Sequence, residues 1–578
     1  MRNLTCFFFL LTIHVCVYAQ RVAINTNGNP ADSSAILDIT STSKGVLIPR
    51  MTQAERDIID APATGLLIYQ TDEDAGFYVF MDPLWSKLSQ RENVWGIEGN
   101  SGTNPETQFI GTMDSVPLCF RVNNTWAGKL DISNENAFIG LHAGSANTTG
   151  NHNTGFGVNA LMTNTIGNQN VALGRAALSS NTIGFKNTAN GAGALLNNTS
   201  GYQNTATGNE AMYSNLTGLN NTANGNRALY SNSGGHDNSA FGLSSLYYNT
   251  TGNQNTATGA NSLLSNSNGN QNTANGNDAL RFNTGSWNTA IGANAMILNT
   301  FGANNTAIGK NALYFNTSGY SNTASGVNAL YSNHQGYFNT ANGLGSLSDN
   351  INGSSNTACG YYAMPHNENG GSNTAIGTNT MLGSISGSFN TAIGYASGTS
   401  GSFDNTISVG NNGYANAYHN QAFIGNLSTM WNGGNMGWST YSDARVKKDV
   451  KEDVQGLDFI TRLRPVTYHR DIRRQVALTG NNETEFFEGK YAIEDIVFSG
   501  FLAQEVEQAA IASGYDFSGI TKPRNEKELY TLSYEAFVVP LVKAVKEQQI
   551  SIETQNQKIT SLEERIANLE NLIRNLQE

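Results

Sequence analysis

Asn recurs at positions 136, 153, 170, 187, 204, 221, 238, 255 and 272, then at 288, 305, 322, 339, 356, 373 and 390, and finally at 405, so nearly every step is 17 residues. A fixed short period with no helix-forming stretch admits few folds, because a unit this small buries its apolar side chains only by stacking on the next. The spacing predicts a mainly β chain with a 17-residue-repeat β-solenoid or β-roll over residues 136–410.

Taking Asn204 as position 1, the unit reads Asn-Thr-Ala-Thr-Gly-Asn-Glu-Ala-Met-Tyr-Ser-Asn-Leu-Thr-Gly-Leu-Asn. Position 3 is nearly always Ala (Ala189, Ala206, Ala223), position 8 is Ala or Ser, and position 9 is Leu or Met (Met212, Leu229, Leu263), which marks the inward faces. Position 4 drifts through Asn190, Thr207, Phe241, Ile291, Ser325 and Cys359, as expected of a side chain aimed outward or at a partner chain. Glycines at positions 5 and 15 (Gly208, Gly218) suit tight corners, and Asn at positions 1 and 12 can stack as amide ladders. Each rung buries little against a backbone ordering cost of about 1 to 2 kcal/mol per residue, so lateral association of chains is expected. The array resembles the β-roll heads of trimeric autotransporter adhesins, whose repeats are shorter but carry similar Asn-Ser/Thr and Ala-x-Gly elements.

Only 13% of residues are charged and the formal net charge is -12, with no clustered basic stripe, which excludes a nucleic-acid surface. Within the array the only carboxylates are Glu210, Asp237, Asp278, Asp349, Glu368 and Asp404. Asp349 and Glu368 fall on adjacent rungs, a spacing too weak for the paired carboxylates of glycoside hydrolysis. Thr at position 2 is read as β-propensity rather than as an ice-binding rank. No pattern calls for a metal or cofactor.

Met1-Arg2-Asn3, the apolar run Cys6 to Ile13 and Val17-Tyr18-Ala19 before Gln20 predict a signal peptide over residues 1–19. Acylation at Cys16 is disfavoured by His14-Val15. No later segment is apolar enough to span a membrane. Cys119 and Cys359 then remain, and are expected to be buried thiols rather than a disulfide. Residues 20–135 read as an N-terminal β-rich module with strands at Val46-Leu47-Ile48, Leu66 to Tyr69 and Phe77 to Phe80, and a capping box Thr52 to Glu55 opening a helix through Ile59. This module looks like the one preceding such repeats in secreted bacterial tail-fibre-like proteins, which implies attachment or capping.

After a linker over 411–441 the composition changes at Ser442-Asp443-Ala444-Arg445-Val446-Lys447-Lys448-Asp449-Val450. Further motifs are Gly456 to Ile460 with Leu463 to Tyr468, Gly500-Phe501-Leu502-Ala503-Gln504-Glu505-Val506, and Tyr530, Tyr534 and Val538 to Leu541. Together they resemble the C-terminal intramolecular chaperone of endosialidase tailspikes and other phage tail fibres. The resemblance implies an α+β chaperone domain over 442–540 that drives trimerisation and cuts its own chain beside Ser442, with Ser442 as nucleophile and Lys447 as base. A serine needs such a base, and an amine serves once it is uncharged, through burial or through nearby cations such as Arg445 and Lys448. Five residues is not helical same-face spacing, so contact requires a turn at Asp443-Ala444. In the rival reading Ser442 or Asp443 only caps a helix.

Residues 541–578 carry Ile552, Ile559, Ile566 and Ile573 at a positions and Leu562, Leu569 and Leu576 at d, the pattern of a coiled coil. Ile at a with Leu at d favours two strands, whereas the family resemblance implies three. The expectation is thus a secreted homotrimeric fibre or adhesin-like surface protein. A cell-surface glycan or protein receptor is a possible partner, with the tyrosines Tyr213, Tyr230, Tyr247, Tyr314 and Tyr331 as candidate sugar platforms.

Overall fold

The computed structural model describes residues 21–88, 101–104, 106–410, 412, 416–430, 432–433, 440–479 and 490–577; the expected signal peptide and much of the 411–441 linker lie outside the described residues. The chain forms two compact units, residues 1–111 and 112–578.

In the first unit Val22–Asn25 pairs in parallel with Leu37–Thr40. A second sheet joins Arg50–Met51, Leu67–Gln70, Gly76–Met81 and Leu84–Lys87. Alternation in Gly76–Met81 buries Tyr78 and Phe80 beside Ile68. The helix α1 (Gln53–Asp57) opens on the expected capping box, with Glu55 N–H donating to Thr52 Oγ1 and Thr52 N–H donating to Glu55 Oε2. It ends two residues earlier than expected, with Ile58 as its C-cap. Arg56 is buried, donates to Gln70 Oε1 at 2.6 Å and lies 4.7 Å from the Tyr78 ring centroid. Val46-Leu47-Ile48 is not a strand: pairing begins only at Arg50, opposite Tyr69, which leaves Val46 and Leu47 exposed.

The second unit begins with an antiparallel hairpin, Leu118–Val122 and Thr125–Asp131, whose second strand pairs with Asn136–Ile139. From there eighteen short strands, Asn136–Ile139 through Ala422–Ile424, stack in one parallel ladder. Register is one repeat per rung: Thr205 opposite Thr222, Ala206 opposite Ala223, Thr207 opposite Asn224. The solenoid is therefore as expected. Ala206, Ala211 and Met212 and their equivalents form one continuous core with no solvent exposure. Where Ser replaces Ala at position 8, its hydroxyl donates to the position-5 carbonyl, as Ser262 Oγ does to Gly259 O at 2.9 Å, so no polar group is orphaned.

The two amide ladders converge on one carbonyl. Asn204 Nδ2 donates to Gly218 O at 2.8 Å and to Asn187 Oδ1 on the preceding rung, while Asn215 Nδ2 donates to the same Gly218 O and to Asn198 Oδ1. Gly208 has φ +130°, as a corner requires, but Gly218 is glycine for want of space, since an added Cβ would lie 2.4 Å from Asn215 Oδ1 and 2.6 Å from Gly235 O. At the rung of Ile407–Val409 the position-1 role passes from the expected Asn405 to Thr406, whose N–H and hydroxyl both donate to Asn390 Oδ1.

Backbone donors reverse direction within each rung. Gly208 and Glu210 donate to the preceding rung, at Asn190 O and Ala192 O, and Met212 and Ser214 donate to the following one, at Ala228 O and Tyr230 O. The reversal is made by left-handed residues, Glu210 at φ +55° and Met212 at φ +50°, with Asn220 at φ +56° in the return turn. Side chains other than glycine resist this region by roughly 1 to 2 kcal/mol per residue. The stacked hydrogen bonds hold it.

The position-12 ladder breaks at one place. Asn367 donates to Asn350 Oδ1, but the next rung carries Ser384, and both Asn367 Oδ1 and Ser384 Oγ are buried without a partner among the described residues. Ser384→Asn restores the amide donor, and the Gly387 carbonyl stands in the ladder position to accept its second N–H. We expect this change to stabilise the array by about 1 kcal/mol, read as a raised thermal unfolding midpoint; an unchanged or lowered midpoint sinks it.

Cys119 and Cys359 are free and exposed, not buried. Cys359 occupies the outward position 4 of its strand, and Cys119 lies in the cap hairpin. At the open end Phe138 plugs the core with no solvent exposure, in space kept by Gly144 and Gly155, and Trp126 Nε1 donates to Ala143 O at 2.8 Å.

The C-terminal part contains α2 (Leu457–Ile460), α3 (Ile472–Thr479), α4 (Ala503–Ala512) and α5 (Val538–Gln577), with two small antiparallel pairs, Val466–Tyr468 with Phe498–Gly500 and Ile520–Thr521 with Thr531–Leu532. The motif at 456–468 forms α2 followed by the strand Val466–Tyr468. Its core is Phe459, Val506, Ala509, Ala510, Phe517 and Phe537. Helix α5 starts at Val538 and runs 40 residues; Ile559, Leu562, Ile566 and Leu569 are exposed on it.

Candidate functional site

Ser442 and Lys447 are brought together. Asp443 caps a single 3-10 turn, Ala444–Val446, by accepting from Arg445 N–H at 2.9 Å. That turn reverses the chain within five residues, and Lys447 Nζ donates to Ser442 Oγ at 2.8 Å. The turn required by the spacing is thus formed, and the capping role of Asp443 coexists with the contact. Both side chains face solvent.

Arg445 does not serve as a free neighbouring cation. Its guanidinium is paired to Asp443, with Nη2 at 2.5 Å and Nε at 3.0 Å from Oδ2. That guanidinium, with the Arg445 N–H, holds the Asp443 carboxyl below the usual carboxylate range. Asp443 is the residue that motif reading undervalued: it both caps the turn and neutralises the adjacent charge.

Behind the dyad the chaperone-like region is tied together by long-range contacts. Glu547 Oε2 on α5 accepts from Leu457 N–H at 2.7 Å, capping α2 from 90 residues away. A Cβ on Gly456 would meet that oxygen at 2.6 Å, which explains the glycine. Tyr534 Oη accepts from Phe501 N–H at 3.0 Å and fills the space over Gly500, where a Cβ would lie 2.1 Å away. Arg464 forms a two-pronged pair with Glu505, which pins the start of α4.

Two other candidates have partners within the array. The Asp349 carboxylate is held by His366 of the next rung at 2.8 Å. The candidate sugar platforms are half-buried and stacked on each other, Tyr213 on Tyr230 at 5.1 Å and Tyr230 on Tyr247 at 4.9 Å, so each ring covers the face of its stacking partner. Among the described residues no cluster could hold a metal, and no helix is long and apolar enough to cross a membrane.

A long solenoid followed by an α+β region fits a tail-fibre-like description. Residues 442–515 match the family model described as the chaperone of endosialidase, a match that opens on Ser442 itself. Residues 23–105 match the model described as a phage tail like trimerisation region, which supports a homotrimer. No curated relative matches the chain.

Proposed function

We propose that this chain is a secreted, trimeric fibre whose C-terminal region assists its assembly and then cuts itself free beside Ser442. The observation that carries the reading is the 2.8 Å contact between Lys447 Nζ and Ser442 Oγ at the first residue of the chaperone match. The Lys447 amine, when uncharged, takes the hydroxyl proton as Oγ attacks the Tyr441 carbonyl carbon. This attack closes a five-membered ring, whereas attack on the carbonyl of Ser442 itself would need a four-membered one. An O–C ester bond forms, the C–N bond to Ser442 breaks, and the lysine returns its proton to the departing amine. Water then hydrolyses the ester, regenerating the Ser442 hydroxyl and leaving a carboxylate on Tyr441.

The solenoid explains why such help is useful. Each rung holds several non-glycine residues left-handed, stable only after the neighbouring rung has formed. Three chains started in register avoid that uphill nucleus, and loss of the chaperone afterwards leaves a fibre protected by its unfolding rate. The Ile and Leu stripe of α5 forms the coiled coil that gathers three copies. Residues 1–19 direct secretion.

The test is intact-mass analysis of wild type beside Ser442→Ala and Lys447→Ala. We expect a C-terminal fragment beginning at Ser442 in wild type and full-length chains in both variants. Full-length chains in all three would leave a non-cleaving trimeric adhesin; a fragment beginning at Asp443 would reject the acyl-shift route.

A further inference from the structure

Among the described residues the solenoid presents a face that no other segment of the chain covers. It is the outward side of the stacked strands, carried by position 4: Ile139, Phe156, Phe241, Ile291, Ile308 and Ile376, each 40 to 44 % exposed. In eighteen rungs position 4 never carries a charge. The array's charges lie elsewhere, with Glu210 and Arg227 at position 7 and Lys186 and Asp237 at position 17. A charge-free strip of this length that carries exposed apolar side chains marks an interface.

The length identifies the occupant. Eighteen parallel strands at about 4.8 Å per step extend roughly 80 Å. A globular receptor with an interface of about 800 Å² per partner covers only part of such a strip. What fits all of it is a surface with the same rung spacing and the same number of rungs, namely another copy of this chain. The flanking segments agree, since the array lies between the trimerisation match at 23–105 and the chaperone match at 442–515.

We infer that the position-4 face is the seam along which three solenoids pack, and that its side-chain sequence fixes their axial register. This rests on the trimeric reading above. Backbone and core repeat from rung to rung and so tolerate a slip of one rung; position 4 does not. Asn190, Thr207 and Asn224 form a polar band between Leu173 and Phe241, and Thr258 and Asn275 follow before Ile291 and Ile308. Slipping one copy by a single rung sets Phe241 against Asn224 or Thr258, and matching is restored only in register. Polar residues at otherwise apolar seam positions specify alignment in coiled coils by the same logic.

Cys359 is a built-in probe, because it occupies position 4 and is exposed in the single chain. In full-length Cys119→Ser protein, the Cys359 thiol is expected to react with a bulky polyethylene-glycol maleimide at least tenfold more slowly than the thiol introduced by Thr251→Cys, an exposed turn position. Sedimentation equilibrium on the same sample reports the mass. A trimer whose two thiols react equally fast overturns the seam and leaves the trimer standing; a monomer overturns both. As a second readout, Ile291→Lys with Ile308→Lys should raise the Cys359 rate in the trimer, whereas Ile166→Lys with Ile183→Lys should not; equal rates from the two pairs also reject the seam.

Discussion

Gly218→Ala is expected to open the solenoid locally, with amide hydrogen exchange over residues 204–235 accelerating on the order of a hundredfold, while Gly234→Ala leaves exchange nearly unchanged. The two glycines belong to the same kind of turn but to different surroundings. A Cβ on Gly218 would lie 2.4 Å from Asn215 Oδ1, 2.6 Å from Asn232 Nδ2 and 2.6 Å from Gly235 O. Every one of these atoms is part of an amide or carbonyl ladder, so none can yield without breaking hydrogen bonds on two rungs. The Gly218 carbonyl also accepts from both Asn204 and Asn215. Overpacking together with impaired hydrogen bonds amounts to about 3 kcal/mol per chain, and about 1.4 kcal/mol corresponds to tenfold in an equilibrium. At Gly234 the nearest atom to an added Cβ is Thr217 Oγ1 at 3.5 Å, an ordinary contact. Because a repeat array is stabilised by nearest-neighbour interfaces, the damage stays near the altered rung. Equal exchange rates in the two variants would reject the ladder as the source of stability.

The period made the solenoid legible, and the conserved size of Ala206, Ala211 and Met212 among copies made its interior legible, because a narrow core tolerates no variation there. Other features are three-dimensional facts without a local signal. Met212 and its Leu equivalents adopt left-handed backbone that propensity would assign to glycine or Asn, and only the stacked N–H bonds explain it. Phe138 interrupts the Ala pattern at position 3, and its role as a plug emerges only with Gly144 and Gly155 around it. The thiols read as buried are exposed because Cys359 falls on the outward phase of its strand, a phase that the variability of position 4 had already marked. At the candidate site the pairing of Ser442 with Lys447 was implied by the family resemblance, whereas the capture of Arg445 by Asp443 was not, since a basic run reads as free charge until its partners are placed.

Phe459→Ala is expected to abolish self-cleavage although Ser442 and Lys447 remain in place. Phe459 has no solvent exposure and is the centre of an aromatic cluster, 5.0 Å from Phe517, 5.3 Å from Tyr515 and 6.3 Å from Phe537 between ring centroids. It is the buried side chain of α2, a helix of four residues, too short to stand by itself. That helix is held at its start by Glu547 from α5 and along its length by this one ring. Truncating a buried Phe to Ala costs about 3 to 5 kcal/mol, a large share of what so small a core supplies. With α2 released, α5 loses its anchor to the rest of the region, and on the proposed reading it no longer gathers three copies beside Ser442. The outcome separates two views of the dyad. If cleavage needs only the local turn from Asp443 to Lys447, the Phe459→Ala protein yields the same fragment as wild type. If assembly is what removes water from the solvent-exposed amine and hydroxyl, the variant stays full length, sediments as a monomer and loses the near-ultraviolet circular dichroism of the aromatic cluster.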